Sequence, residues 1–239
     1  MDQNDPHACA AAIEDAAKAM QGPERLLTLT QAARAFGEAG DRARAHELLD
    51  RVAGEQSPDI EVQARVALER AWLVVDEPDD TAVDRAADPA RQAAGITASQ
   101  LDHSPLGSLH VEALRLRARC ADTADERIAS LRKAIALAES SKAPDTRAWR
   151  ARLLIDLARV DQEADKLGLA RQRLQEAISA ARETGDQAAE QEATELLGLV
   201  EREVTEREQG MDDPTVVRPR FVFPDEDSAH APRRGLSAN

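Results

Sequence analysis

Ser130-Leu-Arg-Lys-Ala-Ile-Ala-Leu-Ala-Glu139 reads against Arg173-Leu-Gln-Glu-Ala-Ile-Ser-Ala-Ala-Arg182 at an offset of 43 residues. Leu131 falls on Leu174, Ala134 on Ala177, Ile135 on Ile178 and Ala138 on Ala181. Self-similarity at this period marks a stacked-repeat architecture, in which each unit buries its apolar face against the next. The apolar positions recur at helical spacing, so the repeated unit is a helix.

Composition agrees with an all-α class. Much of the 42% hydrophobic share is alanine, aromatics make up 2%, and there is no tyrosine. Alanine is the best helix former and lets helices approach closely, which favours thin layers over one thick core. The formal net charge of −14 disfavours nucleic acid and anionic membrane as partners, since both need a basic footprint. Arginine outnumbers lysine, which suits planar, bidentate contact with carboxylates. Cys9 and Cys120 make neither a disulfide framework nor a metal spacing, and Cys120 falls on an apolar stripe that predicts a buried thiol. The first residues carry no signal-peptide pattern and no stretch is long and apolar enough to span a membrane, so a cytoplasmic location is expected.

Along the chain, residues 1–22 predict one amphipathic helix that starts after Asp5-Pro6, ends at Gly22-Pro23 and packs on an array. Residues 23–208 predict about four helical hairpins and a capping helix. Gly40-Asp41 and Gly185-Asp186 each read as a C-terminal glycine followed by the cap of the next helix. Single helices are expected over 145–165 and, with small residues, around Ala82–Ala94. Ser, Pro and Gly over 95–107 predict a loose connection. Residues 209–239 hold four of the eleven prolines and few aliphatics, a composition expected of a disordered tail.

These hairpins resemble tetratricopeptide repeats, in the long-helix form of bacterial regulators. The first hairpin supplies Leu29, Ala32, Ala33, Phe36, Ala45, Leu49 and Val52; a later one supplies Leu154, Leu157, Ala158, Ala170, Leu174 and Ala177. Asp161 departs from the pattern, standing where an aromatic is wanted, and Arg127 stands where Ala45 and Ala170 are small. The resemblance implies an α-solenoid of antiparallel hairpins whose first helices line a concave groove. It also implies a non-catalytic scaffold or adaptor that binds a protein or peptide segment there. On that groove would lie Arg34, Arg152, Ile155 and Arg159, with Arg152 and Arg159 two turns apart on one side of a helix. Their guanidinium groups would suit an acidic or carboxylate-bearing partner.

No phosphate loop, nucleophile turn or metal-ligating motif is present, so neither an enzyme nor a cofactor is expected. His103 and His110 lack a third clustered ligand. In the tail, Val216, Val217, Phe221 and Phe223 concentrate apolar character in a polar segment, the pattern of a docking motif for another protein or for the chain's own groove. Thr215, in acidic surroundings, is the candidate phosphosite. The alternative function is a regulatory sensor that binds a small molecule or signalling partner and switches an output.

Overall fold

The structure is a computed structural model that describes residues 5–75, 77, 81–98 and 104–211. These residues form helices and turns, with no strand among them. The helices are α1 (Pro6–Ala17), α2 (Gly22–Glu38), α3 (Arg42–Gly54), α4 (Ile60–Val75), α5 (Ala82–Thr97) and α6 (Ser104–Arg119). They continue with α7 (Ala124–Ser140), α8 (Pro144–Arg147), α9 (Arg150–Glu163), α10 (Leu167–Thr184) and α11 (Gln187–Met211). The chain divides into two compact units, Met1–Glu201 and Arg202–Asn239. In the described part of the second, Arg207 pairs with Glu203 one helical turn away. The expected tail motif, Thr215, Val216, Val217, Phe221 and Phe223, lies outside the described residues.

Helix ends follow local chemistry. The Asp5 carboxylate accepts the His7 N–H at 3.0 Å, with Pro6 at the first helical position. Gly40 (φ 88°) and Gly185 (φ 74°) turn the chain left-handed, a conformation that costs glycine no side-chain clash. After each, the aspartate N–H returns to a carbonyl of the last turn, Asp41 to Phe36 at 2.8 Å and Asp186 to Ala181 at 3.0 Å. Each aspartate side chain then caps the helix that follows, accepting from Arg44 and Ala189.

Three boundaries differ from expectation. Helix α1 stops at Ala17, and Gly22-Pro23 opens α2, because proline in a first turn has no N–H to lose. Helix α5 continues to Thr97 through Gly95, with Pro89 inside it, so the connection to α6 is shorter than the 95–107 segment. The single helix expected over 145–165 breaks at Ala148 and Trp149 into α8 and α9.

Within the first unit each core layer is shared by consecutive helices. Leu29, Ala33, Leu49 and Val62 join α1 to α4; Ala67, Ala71, Ala90, Leu109 and Leu116 join α4 to α6; Val111, Leu131, Leu153 and Leu157 join α6, α7 and α9. Packing also links next-but-one neighbours: α2 touches α4, α4 touches α6, and α7 touches α9. The repeated stretches lie in α7 and α10, where Leu131 and Leu174, Ala134 and Ala177, and Ala138 and Ala181 are all buried. The repeat in sequence is therefore a repeat of burial pattern. Asp161 is buried and accepts from Arg173 Nε, which gives the departing residue a charged partner in place of an aromatic contact.

Candidate functional site

Helices α4 and α6 are buried on nearly every side, as expected of helices with neighbours all round. Each nevertheless carries a buried carboxylate: Glu69 follows Leu68, and Glu112 sits between Val111 and Ala113. Both meet Arg34 of α2. Arg34 Nε donates to Glu69 Oε2 at 2.8 Å, and Nη2 donates to Glu112 Oε1 at 2.5 Å. Glu112 also accepts from Trp72 Nε1 at 3.1 Å, and Arg65 Nη1 lies 3.9 Å from its Oε2. Glu69 is 3% exposed and Glu112 is 4%. Burial of this kind is offset by a guanidinium that serves both carboxylates, with Trp72 and Arg65 adding to it at Glu112.

The electrostatics reflect that competition. Burial pushes the Glu69 carboxyl up to about 7, against the opposing pull of Arg34. Desolvation alone would lower the Arg34 guanidinium, but Glu69 and Glu112 outweigh it and hold Arg34 above the ordinary arginine range.

Beyond Glu112, α6 presents Arg115 to both tryptophans of the chain. Its guanidinium carbon lies 6.0 Å from the Trp72 ring centre and 5.8 Å from that of Trp149. Arg119 lies 5.1 Å from Trp72, and Arg152 lies 5.9 Å from Trp149, so cations and indoles alternate across α4, α6 and the α8–α9 turn. Arg115 forks onto Asp156 of α9, with Nε–Oδ2 at 2.5 Å and Nη2–Oδ1 at 3.3 Å. Desolvation would lower Arg115, but Asp156 holds it above its usual value. Trp149 Nε1 donates to Ser108 Oγ at 2.9 Å, which fixes the turn against α6.

Two cavities of about 270 Å³ adjoin at Arg115. One is walled by Arg34, Glu69, Trp72, Glu112, Trp149 and Arg152; the other by Arg119, Arg127, Asp156, Arg159 and Glu163. Their linings supply guanidinium, carboxylate and indole groups, and no hydroxyl, thiol or imidazole. A wider hollow of about 820 Å³ beside α7, α8 and α10 carries mixed charge and no aromatic side chain.

Of the residues singled out in the sequence, Arg34 and Arg152 share the first cavity and Arg159 lines the second. Ile155 does not reach either: at 1% exposure it belongs to the core, because α9 is apolar on two sides. The arginines already hold carboxylates of the chain itself. Arg152 Nε meets Asp186 at 3.0 Å, and Arg159 Nη2 meets Glu192 at 2.6 Å. Burial pushes the Asp186 carboxyl up, but the Ala189 N–H and Arg152 outweigh it and hold it below its ordinary value. Glu69, Trp72, Glu112, Arg115 and Trp149 were missed. The available signal was a carboxylate directly beside the buried face of a helix, in Ala67-Leu-Glu-Arg-Ala71 and in Val111-Glu-Ala-Leu114.

Cys120 is buried, and burial pushes its thiol up; Cys9 is exposed. His110 is buried, with Nδ1 2.8 Å from Thr97 Oγ1. Among the described residues no group of three His, Cys, Asp or Glu is placed to hold a metal ion, and no helix is long and apolar enough to cross a membrane. No protein-family model, curated protein or solved structure matches this chain.

Proposed function

We propose that this chain is a non-catalytic scaffold or adaptor, a tetratricopeptide-like stack of helical hairpins that binds an acidic segment of a partner protein. In this reading α2, α4, α6 and α9 are the first helices of successive hairpins, and their shared face is the binding face. The observation that carries it is the concentration of both tryptophans with Arg34, Arg115, Arg119, Arg152 and Arg159 around two adjoining cavities. Tryptophan and arginine are the residues that dominate binding energy at protein interfaces. In a chain of net charge −14, arginines gathered on one face favour a partner bearing carboxylates. The regulatory-sensor alternative draws less support, because the two cavities that gather the tryptophans and arginines, at about 270 Å³ each, fall just below the roughly 300–1,000 Å³ typical of ligand pockets, and the wider hollow beside α7, α8 and α10 carries no aromatic side chain. Two unpaired cysteines fit a reducing cytoplasm.

The test is a peptide array containing acidic, neutral and basic segments, probed with the full chain and with Arg152→Glu/Arg159→Glu. Both side chains are about half exposed, so the double reversal is expected to cost little stability, and circular dichroism and thermal unfolding check that the variant is folded. Retention of acidic peptides, lost in the variant, is the expected result. An array on which acidic peptides are not preferred, or on which the variant keeps the same set, overturns the proposal.

A further inference from the structure

On the proposed face Arg34, Arg115, Arg152 and Arg159 each already hold a carboxylate of the chain, so binding a further carboxylate there requires an exchange. The place where exchange is built in is Arg34. Two buried carboxylates divide its donors, and they are not equally held. Glu112 accepts from Arg34 Nη2 and Trp72 Nε1 and has Arg65 nearby. Glu69, more buried still, accepts from Arg34 Nε. Arg34 itself is 34% exposed at the cavity wall, within reach of a bound segment.

We infer that Arg34 is a proton-linked carboxylate receptor: Glu69 takes up one proton as Arg34 Nε–H passes from Glu69 to a carboxylate of the bound segment. The inference rests on the acidic-segment reading given above. The balance is one proton from solvent onto the Glu69 carboxylate and one ligand carboxylate onto Arg34, with no covalent bond changed. With both glutamates ionised, Arg34 and Arg65 are matched by Glu69 and Glu112. After proton uptake the cluster carries one unmatched positive charge, which the incoming carboxylate neutralises. A buried carboxyl that titrates near neutrality, as burial makes Glu69 do, allows this exchange under ordinary conditions.

Helix α2 contributes Arg34 and Glu38 to the cavity, and α3 contributes Arg42 there and Asp50, which Arg70 holds. Helix α5 meets α4 through Ala86, Ala90, Ala93 and Ala94. Helix α6 contributes Glu112 and Arg115, while its His110 turns to Thr97 of α5 and is held below the usual histidine range by burial. On α4 itself Arg65 acts on Glu69, and Arg70 turns to Asp50.

Two measurements on the full chain test this, and they fail separately. The first needs no ligand. Trp72 and Trp149 both line the cavity and the chain has no tyrosine, so in Trp149→Phe the ultraviolet emission comes from Trp72 beside Glu112. Emission followed from about pH 5 to pH 9 is expected to show a one-proton transition near neutrality that disappears when Glu69→Gln is added. A flat profile, or a transition that survives Glu69→Gln, overturns proton uptake at Glu69. The second uses hexaglutamate as probe and hexaglutamine as control. Affinity of the unaltered chain for hexaglutamate is expected to rise about tenfold from pH 8 to pH 6, with no rise in Glu69→Gln. Equal affinity at both pH values overturns the coupling. A neutral-pH transition with no hexaglutamate binding at any pH overturns the carboxylate-receptor role and the acidic-segment reading.

Discussion

Arg34 and Arg159 make the same bond under opposite conditions. Arg34 holds Glu69 and Glu112, both nearly excluded from water, across three helices that meet only in the folded chain. Arg159 holds Glu192 with both side chains about 44% exposed. In the first case the pairing offsets the cost of burying charge, because Arg34 is the cation that both carboxylates share away from water. In the second, solvent screens the attraction and replaces either partner when it leaves. A distance near 2.6 Å is therefore no measure of what an ion pair contributes; its exposure decides.

The largest test of that contrast removes the shared cation. Arg34→Met keeps much of the side-chain volume, leaves the buried Glu69 without its cation and takes from Glu112 its nearest one, so unfolding by urea near pH 8 is expected to show a loss of about 3–5 kcal/mol. The loss should shrink near pH 5, where Glu69 is neutral. Next in size is the pH dependence of the intact chain. The folded Glu69 carboxyl titrates at about 7, above its unfolded value of 4.5, so the folded state binds the extra proton between these limits. Stability is then highest below about pH 4.5 for this group and falls by up to about 3 kcal/mol as pH rises to about 7. Glu69→Gln should flatten that part of the profile and be the more stable chain at pH 8; a profile identical to that of the unaltered chain would remove Glu69 as its source.

A smaller effect is expected at Trp72. Phenylalanine keeps an aromatic ring but loses the five-membered ring of the indole with its N–H to Glu112, which should lower stability by about 1–2 kcal/mol, measured by thermal or urea unfolding. The smallest belongs to the exposed pair. A double-mutant cycle on Arg159 and Glu192 should give a coupling below about 1 kcal/mol, reduced further by salt. A coupling as large as that at Arg34 would break the comparison.

Helix content was legible because it depends on neighbours in sequence. Gly40-Asp41 and Gly185-Asp186 form the expected turns from a few adjacent residues. The break at Trp149 was not legible, since the contacts that hold Trp149 come from α6, at Ser108 and Arg115. Arg34 could be picked out by its place on a helix face. Its partners stand 35 and 78 residues away, and only the packing of α2, α4 and α6 brings them to it. Ile155 shows the converse: helical spacing placed it beside Arg152 and Arg159, but burial of α9 on two sides turns it into the core.

One further consequence concerns how this chain can change over time. Where α4 meets α5 the contact is built from Ala64, Ala67 and Ala71 against Ala86, Ala90, Ala93 and Ala94. Alanine there loses no side-chain entropy and lets the helices lie close, but any larger residue must push them apart. At these alanine positions, drift towards larger residues therefore carries a packing cost. The spacing that carries Glu69 towards Arg34 is guarded by side chains that make no polar contact of their own.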